Sequence, residues 1–347
     1  MQKREVMNYC KKKIKMYLSQ NVIDFIKGFF RLRFIFQRNF FVYVKGRFLP
    51  VYWEKTHARY NIPEPLSTTS MVCNASFWDS PCFQYWYPYL EENFFDLMQA
   101  SNQLKKDARK HGIIYHRKLW EFVYILQALY ERNMIRPECR GVGFGVGTEA
   151  LTAIFASRGC SILATDLTAQ HAAAAGWAIS GQHTLGQLKE LNKYGICAEN
   201  EFERLVTFRD VDMNDIPSDI KEYDFCWSAC ALEHLGSIAK GIEFIKNSLK
   251  TLKSGGIAVH TTEFNLDSDD ENYDDPSSAI FSKKDILILK RKLEAEGHYV
   301  YPLDFTKGTT FVDGFVDLPP YSKGNMHLRL NIRGFTSTSI GLIIRKR

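Results

Sequence analysis

Three groups of residues have the types and spacing to do chemistry. The first is a glycine series, Gly141-Val142-Gly143-Phe144-Gly145-Val146-Gly147, followed at once by Thr148-Glu149. Glycines let a backbone turn sharply and approach a ligand with no Cβ in the way. The second is Asp166, which ends the apolar run after that loop. An acid at a strand end can accept hydrogen bonds from both hydroxyls of a ribose; a helix cap or a surface acid is the competing reading. The third group brackets two further apolar runs: Glu233-His234 follows Tyr223–Ser228, and His260, Glu263 and Asn265 surround the next. Histidine changes charge near neutrality, so His234 reads as the general base for a hydroxyl nucleophile, with a structural contact as the alternative. Glu233 stands beside it as a candidate, and Glu263 could bind an acceptor hydroxyl or assist His234. His260 sits inside an apolar run and reads as a core histidine.

The loop spacing narrows the ligand. A dinucleotide fingerprint has the form G-x-G-x-x-G. Counted from Gly143, the third glycine falls at 147, one residue early; counted from Gly141, position 146 is valine. The spacing suits adenosylmethionine better than NAD. No metal is expected: the acidic loop Asp267–Asp275 lacks the spacing and glycine of a calcium loop and reads as a solvated lid. Cys226 and Cys230 lack two further close ligands for zinc. Trp177 and His183 could touch a substrate or merely pack.

These residues need a frame, and the chain supplies one. Lys118–Arg132 carries Leu119, Phe122, Val123, Leu126 and Leu129 at helical spacing, and the helix ends near Arg136-Pro137. Beyond it, strand-like and helix-like segments alternate. Strands are expected at Val142–Phe144, Ser161–Thr165, Leu205–Arg209, Tyr223–Ser228 and Ile257–Thr262. Helices are expected at Glu149–Ser157, from Asp166 through Asn192, at Ile238–Leu252 and at Ser282–Glu296. That order predicts a mainly parallel sheet with helices on both faces. Tyr299–Phe305 and Thr336–Arg345 read as late strands.

Gly143-x-Gly145-x-Gly147, Asp166, Asp212 and Tyr223–His234 together resemble the ordered motifs of class I S-adenosylmethionine-dependent methyltransferases, over roughly residues 115–347. The segments His116–Trp120, Cys226-Trp227-Ser228, Glu233–Gly236 and His260–Asn265 are similar to a bacterial methyltransferase group associated with polysaccharide and glycan biosynthesis. The resemblance implies a Rossmann-like, seven-stranded, mainly parallel sheet with an antiparallel final hairpin; Tyr321–Leu330, between the late strands, reads as an active-site cover. It implies that Gly143, Gly145 and Gly147 lie under the methionine and ribose parts of the cofactor, that Asp166 holds the ribose, and that Asp212 and Met213 flank the adenine. One position departs from the family, which usually has an acid where this chain has Gly141. Another group must then help with the cofactor's ammonium, either a residue of Tyr115–Trp120 or the backbone near Cys226–Ser228. The implied reaction is O-methylation of a sugar or glycan-linked acceptor. A nicotinamide-dependent oxidoreductase and a non-catalytic scaffold are the other readings, the second favoured only by Gly141.

Composition bounds the rest. The hydrophobic (45%) and charged (24%) fractions of the 347 residues are those of a globular protein. Charge is uneven: residues 1–59 hold 14 Lys and Arg against Glu5, Asp24 and Glu54, while the remainder is net acidic. No basic stripe continues into the body, so nucleic acid is not an expected partner. Val22–Trp53 is too charged to span a bilayer. It reads either as a mostly helical layer packed on the domain or, across residues 11–53, as a peripheral contact with a membrane surface. The expected division is a basic, aromatic-rich extension at 1–110 and a methyltransferase domain at 111–347. Eight cysteines without a CxxC pair fit a reduced, cytoplasmic setting, at the inner membrane face if the arm binds lipid.

Overall fold

The computed structural model describes residues 68–111, 115–168, 188–321 and 325–347. The basic segment 11–53, Trp177, His183 and most of the helix expected after Asp166 lie outside the described residues. In chain order the elements are β1 (Ser70–Val72), α1 (Pro81–Leu97), α2 (Asn102–His111), α3 (Arg117–Glu131), β2 (Arg140–Phe144), α4 (Leu151–Ser157), β3 (Ser161–Asp166), α5 (Glu199–Leu205), β4 (Val206–Asp210) and β5 (Tyr223–Ala229). There follow α6 (Ile238–Lys250), β6 (Leu252–Asn265), β7 (Tyr273–Asp275), β8 (Ser278–Ile280), α7 (Lys283–Ala295), β9 (Tyr299–Val300), β10 (Leu303–Asp304), α8 (Phe311–Gly314), β11 (Leu330–Ile332) and β12 (Phe335–Arg345).

The main sheet runs β10-β1-β12-β6-β5-β2-β3-β4. From β4 to β6 every pairing is parallel, and β12 lies antiparallel to β6 from Ser337 opposite Asn265 to Arg345 opposite Ile257. The mainly parallel, Rossmann-like sheet with an antiparallel final strand is thus present. Among the described residues it has ten strands rather than the expected seven, because β1 and β11 join at the β12 side and the expected strand Tyr299–Phe305 is divided into β9 and β10. β1 pairs with β12 although it lies on the N-terminal side of the expected boundary at 110.

Two apolar layers sandwich the sheet. One gathers α1, α3 and α4 through residues such as Phe83, Trp86, Leu119, Leu126 and Phe155; the other gathers α6 and α7 through Ile242, Phe244, Ile286 and Leu293. Helix α3 departs from the one-faced pattern its sequence suggests. It is buried continuously from Leu119 to Leu129, Glu121 and Gln127 included. Buried polar groups need partners, and Gln127 meets this by accepting from Trp86 Nε1 at 2.9 Å and donating to Glu131 at 2.8 Å. Space for α3 under β12 is made by Gly341, where a Cβ would come within 2.1 Å of the Tyr124 ring.

Three boundaries differ from expectation. Helix α4 begins at Leu151 rather than Glu149, so Glu149 belongs to the loop. β6 starts earlier, at Leu252, with a register shift against β5 between Tyr223 and Phe225. The expected strand Tyr299–Phe305 divides around Pro302 into β9 and β10, which pair with different neighbours. Proline offers no N–H to a ladder, which explains the break. Among the described residues no helix is long and apolar enough to cross a membrane.

Candidate functional site

The carboxyl ends of β2, β3, β5 and β6 open on one pocket of about 1000 Å³, the edge where open α/β sheets bind ligands. The β2–α4 loop forms its floor with Gly145, Val146, Gly147 and Thr148. Gly145 has φ +60°, and a Cβ there would lie 3.0 Å from Ala231 and 3.2 Å from Met213 Sδ, so only glycine fits. The turn is tied down from β3: Gly147 N donates to Asp166 Oδ2 at 3.0 Å and Leu167 N to Oδ1 at 2.8 Å. Asp166 is 8% exposed and lines the pocket with Asp212 and Met213.

The departure at Gly141 has a steric cause. β2 and β5 run in register with Gly141 opposite Phe225 and Gly143 opposite Trp227. A Cβ on Gly141 would sit 2.3 Å from the Phe225 ring, and one on Gly143 would sit 2.3 Å from Trp227. Two aromatic rings therefore fill the space that side chains on β2 would take. Gly143 does not line the pocket; it admits Trp227, whose Nε1 donates to Glu149 at 2.7 Å. The acid missing from β2 is matched by one just beyond the loop. Burial pushes the Glu149 carboxyl up to about 8, against the lowering influence of the Trp227 hydrogen bond. Glu149 was expected in a helix rather than in the site; its place two residues past the last loop glycine was the available signal.

Opposite the loop stands a wall of charge. Arg117, at the first turn of α3, reaches Glu121 on its own helix and Glu263 at the end of β6, and Lys118 Nζ lies 2.8 Å from Glu121. Ser339 of β12 is hydrogen-bonded to both Arg117 and Glu121, and Ser337 donates to Glu263 Oε2 at 2.7 Å. Burial works against the Arg117 charge, but Glu263 and Glu121 outweigh it and hold the guanidinium protonated. Burial likewise opposes ionised Glu121, and Lys118 with Arg117 more than restores it. Arg117, Lys118, Glu233, His234 and Glu263 all line the pocket.

The expected catalytic trio is therefore brought together on one rim. Glu233 is 1% exposed, accepts from Thr262 Oγ1 at 3.2 Å and leaves Oε1 without a hydrogen-bond partner. Its carboxyl is raised, chiefly by burial. His234 is half-buried, and its Nδ1 lies 3.0 Å from the Ser277 carbonyl on the β7–β8 turn. The acidic loop that forms this hairpin has its own structural duties: Asp274 accepts from Ile238 N at the start of α6, and Asp267 from Thr336 N.

Two residues point inward instead. His260 is fully buried between the hydroxyls of Ser228 (2.8 Å) and Ser248 (3.1 Å), and burial pulls it down to about 3. It is the core histidine the sequence suggested. Ser228 is fully buried on that partner and is not part of the pocket lining.

Part of the lining comes from the expected cover, within which the sequence singled out no individual side chain. His327 and Tyr321 line the pocket beside His116. His327 Nδ1 lies 2.7 Å from Asp317 Oδ2, and its ring stacks on His116 with centroids 4.6 Å apart. The expected cover Tyr321–Leu330 thus reaches the pocket at two described positions.

Comparison with known proteins places this geometry. Residues 142–260, which hold the glycine loop and most of the strands that open on the pocket, match the family model described as a methyltransferase domain. Several solved structures are similar. Magnesium protoporphyrin IX methyltransferase (ChlM) from Synechocystis PCC 6803, with bound SAH, has a TM-score of 0.41 at 12% identity over 75% of this chain and 97% of that one. An S-adenosylmethionine-dependent methyltransferase from Clostridium acetobutylicum ATCC 824 has a TM-score of 0.37 at 15% identity, covering 69% and 95%. The N-terminal domain of EvdMO1, in the presence of SAH and D-fucose, has a TM-score of 0.38 at 13% identity, covering 64% and 82%. No curated protein matches the chain in sequence.

Proposed function

We propose that this methyltransferase domain takes its methyl group from S-adenosylmethionine and places it on a hydroxyl of a sugar or glycan-linked acceptor. The observation that carries the reading is the convergence of the glycine turn at Gly145–Gly147 with four buried acidic side chains, Asp166, Glu149, Glu233 and Glu263, on one pocket. A ligand that brings positive charge would draw the raised Glu149 and Glu233 carboxyls toward their ionised forms. The pocket lies at the upper end of the usual range for small-ligand sites, about 300–1,000 Å³, which leaves room for a second ligand beside the cofactor.

The loop Gly145–Gly147 would underlie the methionine and ribose parts of the cofactor, Asp166 would accept the ribose hydroxyls, and Asp212 with Met213 would flank the adenine. Because the Ser228 hydroxyl is committed to His260, Glu149 is the better partner for the ammonium. When bound, the cofactor supplies a methyl group on a positively charged sulfur, open to in-line displacement. The chain's task is then to align the acceptor, exclude water and remove a proton. Glu263, held by Arg117 and Ser337, would receive an acceptor hydroxyl. His234, backed by the Ser277 carbonyl, is the base read from the sequence. Acceptors assembled on lipid would bring the basic segment 11–53 to an anionic inner membrane face, which co-sedimentation of the full chain with phosphatidylglycerol vesicles tests.

The primary test is calorimetric titration of adenosylmethionine, adenosylhomocysteine and NAD into wild type and Asp166→Ala, followed by transfer of tritiated methyl to a set of methyl hexopyranosides. Saturable binding of the two sulfur ligands, weakened in the variant, and label in a sugar ether are expected. Binding of NAD alone would overturn the reading.

A further inference from the structure

We propose that His327, oriented by Asp317, is the proton acceptor for the methylated hydroxyl. The proposal rests on the reading of the pocket as a methyl-transfer site. It adds a residue pair from chain segments beyond 142–260, the span that matches the family model.

The argument starts with what holds the imidazole. Asp317 is 1% exposed, and its carboxylate is filled by two donors: Asn325 Nδ2 at 3.0 Å on Oδ1 and His327 Nδ1 at 2.7 Å on Oδ2. Its backbone is pinned in both directions, donating to Arg329 O and accepting from Asn331 N, each at 2.8 Å. His327 is pinned as firmly, since its N–H donates to Tyr115 O at 2.8 Å and its carbonyl accepts from Arg117 N at 3.1 Å. Two rings then fix the plane. His116 stacks on one face at 24°, and Tyr321 meets the imidazole edge-on, 5.2 Å away at 85°. Tyr321 is itself anchored through its hydroxyl to Asn331 O at 2.7 Å.

A carboxylate behind Nδ1 selects the tautomer that carries its proton there and leaves the lone pair on Nε2. Nε2 has no hydrogen-bond partner among the described residues, and His327 lines the same pocket as Gly145, Glu233 and Glu263. His116 cannot compete for the proton. It is deeply buried, its Nδ1 accepts from Lys118 N at 3.1 Å, and burial together with His327, Arg117 and Lys118 keeps it neutral.

His234 differs in what stands behind its ring. There Nδ1 faces a neutral carbonyl, and Glu233, the acid that feels the His234 charge, is itself pushed toward its neutral form by burial. Asp317 offers a buried carboxyl group in direct contact with Nδ1, so the protonated state formed during transfer gains a charge-assisted hydrogen bond. In the step itself the acceptor O–H bond breaks, its electron pair forms the O–CH3 bond, and the sulfur keeps the pair of the bond it loses. The proton passes to His327 Nε2 and from there to solvent. Asp317 is a positioning residue and does not take the proton.

The decisive test needs no acceptor. Full-length protein labelled with ¹⁵N at its nine histidines is examined by NMR with saturating adenosylhomocysteine at pH 7.5, with His327→Gln assigning the signal. We expect Nδ1 of His327 to carry the proton and Nε2 to be a bare nitrogen, with this pattern lost in Asp317→Asn. A proton on Nε2, or a pattern unchanged by Asp317→Asn, would overturn the proposal. With any hexopyranoside that wild type methylates, His327→Gln should lower kcat about 100-fold and His234→Gln less than tenfold; the reverse ranking would also overturn it. Calorimetry on the same samples separates the two failures. Loss of adenosylhomocysteine binding by wild type defeats the methyl-transfer reading, whereas intact binding with the wrong tautomer defeats His327 alone.

Discussion

The two walls of the pocket are built by opposite means. On the cofactor side the ligand surface is backbone, shaped by leaving side chains out: Gly145 turns where no Cβ fits, and Gly141 and Gly143 yield their space to Phe225 and Trp227. Away from the loop the surface is side chain, held by charge: Arg117 and Lys118 from α3, Glu263 from β6 and His327 from the segment before β11. A backbone wall depends on a local stretch and is damaged by adding atoms. A charged wall depends on distant residues meeting and is damaged by removing one of them.

Substitutions should separate these cases, and the largest effect is expected on the charged wall. Glu121→Gln leaves Arg117 and Lys118 buried with too little counter-charge, which costs about 3–5 kcal/mol. Thermal unfolding should fall by on the order of 10 °C, and an unchanged midpoint would remove the network from the stability of the fold. Next comes Gly143→Ala, whose methyl would collide with Trp227. Overpacking of this kind costs about 1–3 kcal/mol, and adenosylhomocysteine binding should weaken together with the denaturant midpoint. Gly141→Asp, which installs the missing acid, should destabilise for the same reason without tightening the cofactor.

Smaller and cleaner is Asp166→Ala. Loss of charge-assisted hydrogen bonds should reduce adenosylmethionine affinity about 10- to 100-fold, with the unfolding midpoint shifted far less than in Glu121→Gln. The subtlest effect belongs to Glu149. Its folded carboxyl titrates near 8 and its unfolded one near 4.5, so the native state binds the extra proton between those values. Stability of the free protein should therefore fall as pH rises from about 4.5 to 8 and level off above. Glu149→Gln should flatten that slope and raise the midpoint at pH 8, while weakening the cationic cofactor. A variant that keeps the slope would assign it elsewhere.

The same contrast explains what could be read beforehand. The glycine loop, Asp166 and the parallel strands announce themselves through spacing and apolar runs, because local geometry requires them. His260 was legible as a core residue from its apolar surroundings. Arg117 meets Glu263 across 146 positions, and no periodicity in α3 hints at it; even the helix's single apolar face gave way to burial all round. Asp317 and His327 stand ten residues apart in a stretch without a regular pattern, and only the fold turns one toward the other. Gly141 looked like a missing acid until the β2–β5 register showed which ring needs its space.

Strand β12 carries a consequence for how the molecule is made. Its eleven residues enter between β6 and β1, yet they leave the ribosome after every other strand of the sheet. Until then the nascent chain holds an open slot along the whole length of β6, and Glu121, Glu263 and Arg117 lack Ser337 and Ser339. Long-range strand insertion is slow and leaves edges exposed. Biogenesis of this protein should accordingly be sensitive to translation through β12, with chaperone occupancy peaking just before that strand emerges.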